Sequence, residues 1–226
     1  MDIAFQSQNK RIILMKLSRI PFIIGFILIS TYSFGQWQIG IKVSPGITSS
    51  RSVILDNNYT LDKNNSGLRF LAGIILDYEF QENYYFSTGI NFLPKKVAYQ
   101  ISGPTQNVNY NDVFNVQYLQ LPITMKLYTN EIALDMRLYF QFGGLAEINI
   151  HDNIDQLNNT FVTKIALFDA SIPVGAGVEL KLGENTSVFG GLVYHRGLLN
   201  IASQNLIDKQ YDLKMQFIGL EFGVKF

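Results

Sequence analysis

From Leu68 to Phe80 every second residue is apolar: Leu68, Phe70, Ala72, Ile74, Leu76, Tyr78 and Phe80, with Arg69, Gly73, Asp77 and Glu79 among the positions between them. A repeat of two puts alternate side chains on opposite faces of an extended strand, so this segment has one apolar and one polar face. The same repeat returns at Leu119, Leu121, Ile123, Met125 and Leu127, again at Leu134, Met136, Leu138 and Phe140, and again from Ile172 to Leu182. It closes the chain at Ile218, Leu220, Phe222, Val224 and Phe226. No apolar run after Gln36 approaches the roughly 20 residues a membrane helix needs, so strands are the element this chain can build.

The alternation predicts eight strands, at about 37–47, 67–80, 83–99, 114–129, 132–148, 170–182, 185–197 and 212–226, the first, third and seventh less regular than the rest. Their connections alternate in length. Gln81-Glu82-Asn83, Thr129-Asn130-Glu131 and Gly183-Glu184-Asn185 read as tight turns, whereas 48–66, 100–113, 149–169 and 198–211 are long and polar. Short turns on one side and long loops on the other are the pattern of a transmembrane barrel, with periplasmic turns and extracellular loops. The predicted strands are long enough for the roughly 9–11 residues a tilted membrane strand requires. Closure is needed, because an open edge in hydrocarbon leaves backbone donors and acceptors unpaired at several kcal/mol each. The fold expected is therefore all-β, an eight-stranded antiparallel up-and-down transmembrane barrel over residues 36–226, located in the outer membrane with lipid as its surroundings.

Ahead of it, Lys10, Arg11, Lys16 and Arg19 precede the apolar run Ile20–Ile29 and the small-residue stretch Ser30–Gly35. That order is the one of a secretory signal peptide, and the run, interrupted by Pro21 and Gly25, is about half the length of a membrane helix. Residues 1–35 are expected to be cleaved before Gln36. Translation starts at Met1 or Met15.

Composition removes several classes of function. Lys plus Arg equals Asp plus Glu at 18 each, so there is no basic excess for a nucleic-acid partner. With 0 cysteines there is no disulfide framework, thiolate metal site, thiol nucleophile or acylated anchor. The two histidines, His151 and His195, meet no motif that supplies a nucleophile and an orienting group, so the chain is not expected to be an enzyme. No cofactor, catalytic or metal-binding residue is assigned; Asp152 and Asp155 alone would hold a hard cation weakly.

The charges that alternate against the apolar face are Arg69, Asp77, Glu79, Lys126, Asp135, Arg137, Glu179, Lys181 and Glu221, with Glu147 and Lys225 in the same register. An eight-stranded barrel is filled by its side chains, so these are expected to form a mutually paired structural network in the lumen. A proton path or ligand site is the competing reading. The interior glycines Gly73, Gly89, Gly143, Gly175, Gly177, Gly191, Gly219 and Gly223 are expected to make room for long side chains or relieve curvature. Tyr78, Phe80, Tyr84, Tyr85, Phe86 and Tyr128 are expected near the membrane interface, and Pro122 at a local distortion.

Alternation does not say which face is inside. A soluble periplasmic lipocalin-like carrier of a small apolar ligand, also eight-stranded, is the alternative, with the faces inverted. An open pore is disfavoured by the narrow lumen.

The segment Tyr118-Leu-Gln-Leu-Pro-Ile-Thr-Met-Lys-Leu-Tyr128 resembles a strand of the Bacteroidetes outer-membrane β-barrel family that includes PorT-like proteins. Gly143-Gly144, Ser171–Glu179 and Tyr194–Asn200 resemble its later strands. The resemblance implies a cell-envelope barrel with a structural or partner-binding role, in some relatives accessory to secretion or gliding machinery. The final strand, Leu220 to Phe226, alternates and ends on Phe226, and so resembles a recognition signal for the barrel-assembly machinery, an expected partner.

Overall fold

The structure, a computed structural model, describes residues 36–54, 60–62, 67–102, 109–154, 162–205 and 211–226; the expected signal peptide, 1–35, lies outside these residues. Among the described residues eleven strands are present: β1 (Trp37–Ile54), β2 (Thr60–Asp62), β3 (Gly67–Gln81), β4 (Tyr84–Ser102), β5 (Asn109–Tyr128), β6 (Met136–Ile154), β7 (Val162–Ile165), β8 (Phe168–Lys181), β9 (Ser187–Gly197), β10 (Ala202–Asn205) and β11 (Tyr211–Lys225). Eight of them close a barrel in the order β1-β3-β4-β5-β6-β8-β9-β11, with β11 paired antiparallel to β1 from Ile54↔Tyr211 to Gly40↔Lys225. The eight-stranded antiparallel barrel expected from the alternation is the fold observed.

The strands differ from expectation chiefly at the long-loop end. β4 and β5 stay paired as far as Ser102↔Asn109, and β5 and β6 as far as Phe114↔Ile154, well past the limits drawn from alternation. Ladder hydrogen bonds persist beyond the apolar belt, where apolar residues no longer mark the outward register. The stretches expected to be loops also hold β2, which extends the sheet on β4, and the β7–β10 pair. At the other end β6 begins at Met136 rather than 132. Asp135 takes φ 57° in a turn, where the Met136 N–H donates to Ala133 O at 3.0 Å.

Burial assigns the faces. Leu68, Phe70 and Ile74 of β3 are more than half exposed, while Asp77 is wholly buried, and the same division runs through Leu121 and Ile123 against Lys126, and Leu220 and Phe222 against Glu221. An apolar face turned outward and a charged face turned inward is a lipid-embedded barrel and the inverse of a ligand-carrying lipocalin. Phe80 and Tyr84, ring centroids 6.3 Å apart, lie on the outer wall at the short-turn end, as interface aromatics do. Tyr85 and Tyr128 do not: both are buried in the lumen, since each sits on the polar register of its strand.

Pro122 is accommodated without a slip in register. Opposite it, Gly89 takes φ 151°, a conformation closed to side chains, and the Thr88 hydroxyl donates to Pro122 O at 2.8 Å. A Cβ at Gly89 would stand 2.0 Å from Ile74 O.

Candidate functional site

The lumen is the chemically distinctive part of the molecule. Near the short turns, β11 delivers Lys225, whose ammonium lies 3.1 Å from Asp77 Oδ2, 2.5 Å from Glu179 Oε2 and 2.8 Å from the Tyr128 hydroxyl. Lys126 of β5 meets the same Asp77 at 2.9 Å, and Ser87 donates to its other oxygen at 2.5 Å. Glu179 also accepts from Tyr128 at 2.7 Å and from Arg137 at 3.4 Å. The Tyr85 hydroxyl stands beside Glu79 and Arg137. Six strands thus supply a network in which Asp77 and Glu179 each have more than one donor, the condition under which ion pairs persist in low dielectric.

Aromatic rings enclose that network. Tyr85 and Tyr128 meet edge-on at 5.0 Å, Tyr128 and Tyr139 at 6.0 Å, and Tyr139 and Phe189 at 6.1 Å. The Lys225 ammonium lies 5.2 Å from the Tyr128 ring centre and 5.7 Å from that of Phe189, within cation–π range. Some of the interior glycines make room for these rings and others for polar chains: a Cβ at Gly175 would stand 2.7 Å from Gln141 Nε2. A Cβ at Gly177 would stand 2.6 Å from the Tyr139 ring, and one at Gly223 2.3 Å from the Phe189 ring.

Above this layer, Glu221 accepts from Lys42 at 2.7 Å, from Gln141 at 3.2 Å and from Tyr139 at 3.4 Å. Leu71, Leu93, Val193 and Phe217 then form an apolar cluster within the lumen. A second ionic group lies nearer the long loops, where Lys95 meets Glu147 at 2.5 Å and Ser171 donates to the other Glu147 oxygen. His195 is buried with its ring centre 5.3 Å from that of Phe217. A cavity of about 20 Å³, room for one water, is lined in part by Lys42, Asn91, Gln141 and His195.

Of the residues expected in the network, the structure brings together Asp77, Lys126, Arg137 and Glu179 directly, with Glu79 beside Tyr85 and Arg137, and puts Glu221 in the neighbouring group. It does not bring in Asp135, exposed in the left-handed turn, or Lys181, exposed where β8 leaves the lumen. Arg69 sits apart at the opposite end, its Nη2 2.8 Å from Asn115 Oδ1. Lys42 and Lys95 were missed. Both fall on the lumen register of β1 and β4, but Pro45 and Gly46 in one strand, and Pro94 and Lys96 in the other, obscure the alternation. Among the described residues no group of three acidic or histidine side chains is arranged to hold a metal ion; Asp152 accepts from Asn149 Nδ2 at 3.0 Å, and Asp155 lies outside the described residues.

A closed barrel with an apolar exterior and an ion-paired interior is the build of an integral outer-membrane protein. The chain belongs to the outer membrane protein beta-barrel domain family, whose pattern matches residues 6–203. No curated protein matches it. Among solved structures it is similar to the outer membrane protein OprG from Pseudomonas aeruginosa, at 12% identity and a TM-score of 0.53 over 84% of this chain and 96% of that one. Neisserial surface protein A, NspA, aligns at 12% identity over 84% of this chain and 97% of its own, with a TM-score of 0.47. The family and the exposed apolar belt together locate the protein in the outer membrane.

Proposed function

We propose that the protein is a closed, non-conducting barrel with a structural or partner-binding role in the envelope and no catalytic activity. The observation that carries this reading is the filled lumen: two ion-paired layers with the apolar cluster of Leu71, Leu93, Val193 and Phe217 between them. An aqueous path needs open space along the lumen, and these groups are packed with almost no exposure, beside a cavity with room for one water. The paired charges Asp77, Glu79, Lys126, Arg137, Glu179 and Glu221 serve as packing in this account; Arg69, Asp135 and Lys181 take no part in it.

The residues left to meet other molecules are those of the long strands that run beyond the apolar belt, above all β4, β5 and β6. The resemblance to PorT-like proteins supports a partner within secretion or envelope machinery. The alternating apolar face of Leu220, Phe222 and Val224, on the strand that closes the barrel against β1, supports recognition of that strand by barrel-assembly machinery. Cleavage before Gln36 belongs to the same account. Planar-bilayer recording of the purified protein tests the central part: baseline current is expected at all voltages, and stable steps of channel conductance would contradict it. Photo-crosslinkers at His151 or Asn153 in intact cells test the partner: a discrete protein adduct supports it, and adduct only from lipid-facing Ile123 argues against it.

A further inference from the structure

Just beyond the apolar belt, Pro94, Asn115, Gln117, His151 and Asn153 line an open groove of about 410 Å³ on the outward register of β4, β5 and β6, and Arg69, from the opposite register of β3 above its last pairing with β4, reaches it through Asn115. The register places it. Pro94, Gln117 and His151 form one row across β4, β5 and β6, and the next outward-facing row toward the periplasm is Phe92, Leu119 and Ile148, all more than a third exposed. The groove therefore begins where the lipid-facing surface ends, at the level of the outer-leaflet headgroups. Its polar lining has a guanidinium, an imidazole and three carboxamides, and no carboxylate.

A second cation stands at its edge. The position a Gly67 side chain would take is 3.3 Å from Lys96 Cδ and 3.7 Å from Arg69 Cζ, so these two side chains converge on one point. Among the described residues neither forms an ion pair. Arg69 is instead held by neutral oxygens, Leu68 O at 2.9 Å and Asn115 Oδ1 at 2.8 Å. Two cationic chains that pass the same point repel one another, and an anion between them offsets that repulsion. A fork-shaped donor beside an ammonium fits a phosphate.

We infer that this groove binds the phosphate of an outer-leaflet amphiphile between Arg69 and Lys96, with its hydroxyls against Asn115, Gln117 and Asn153 and its acyl chains along Phe92, Leu119 and Ile148. The inference rests on the outer-membrane placement of the barrel. The apolar row directly beneath the cations selects a lipid headgroup over free phosphate, which has no use for it.

The test is native mass spectrometry of the protein extracted in dodecylmaltoside and offered dilauroyl phosphatidic acid, dilauroyl phosphatidylcholine or inorganic phosphate. One phosphatidic acid is expected to remain bound, and R69Q/K96Q is expected to weaken it about tenfold, the effect of losing charge-assisted hydrogen bonds. Lys214→Gln, which removes an exposed cation elsewhere on the barrel, should leave it unchanged. Equal retention by R69Q/K96Q, or of phosphatidylcholine by the native protein, would overturn the site. Inorganic phosphate displacing the lipid at equal concentration would overturn the lipid source. Unboiled gel mobility, read on the same samples, separates loss of the site from loss of the barrel. Should R69Q/K96Q lose the compact band, Asn153→Glu places a carboxylate in the groove from an exposed position. Unaltered retention of phosphatidic acid by that variant would equally refute the inference.

Discussion

Lys225 holds two carboxylates and a tyrosine hydroxyl, so its removal leaves buried acceptors short of a donor rather than merely deleting one contact. Lys225→Met is expected to destabilise the folded barrel by about 3–5 kcal/mol, read from urea titration in detergent micelles. Breaking the Lys214–Asp212 pair, 2.8 Å apart but partly exposed, should cost under about 1 kcal/mol in the same assay. Near-equal losses would mean the lumen is wetter than its packing implies. The Lys95–Glu147 pair offers a sharper comparison. Lys95→Met alone is expected to cost several kcal/mol, and adding Glu147→Gln to recover part of it, because the second change removes the orphaned charge. At Gly89 the backbone itself forbids a side chain: Gly89→Ala should be more disruptive than Gly144→Ala, whose Cβ would meet nothing within 4 Å.

At the scale of the strand, what the sequence made legible was the part in contact with hydrocarbon. Wherever one face met lipid and the other the lumen, the alternation from Leu68 to Phe80 or Leu119 to Leu127 gave both the strand and its faces. Beyond the belt the alternation inverts although the pairing continues: Asn115 and Gln117 take the outward register while Val116 and Tyr118 are buried, so apolar residues no longer mark the outer face. The missed Lys42 and Lys95 have the same origin, for proline and glycine interrupt the apolar register of β1 and β4. Asp135 was placed in the lumen because a turn with positive φ breaks parity in a way that composition does not reveal. The depth dependence of the wall is testable. Ile123→Lys, within the apolar belt, should cost about 2–4 kcal/mol of folding into bilayers, and Asn153→Lys, beyond it, about 0–1 kcal/mol. Equal costs would remove the belt from where burial puts it.

For the whole molecule, closure is what makes an apolar exterior and a charged interior compatible. The β1–β11 pairing closes the sheet in the hydrocarbon, and Asp77, Glu147, Glu179 and Glu221 each meet a lysine within the lumen. The most direct test uses the absence of native cysteine. Single cysteines introduced in turn from Leu119 to Lys126 and labelled with a nitroxide report collisions with oxygen, which partitions into lipid, and with a water-soluble nickel chelate. Labels at 119, 121, 123 and 125 are expected to collide with oxygen and not with nickel, and those at 120 and 124 with neither. Oxygen access at 120 and 124, with 119, 121, 123 and 125 shielded, would mean that the apolar face is inside and would contradict the account.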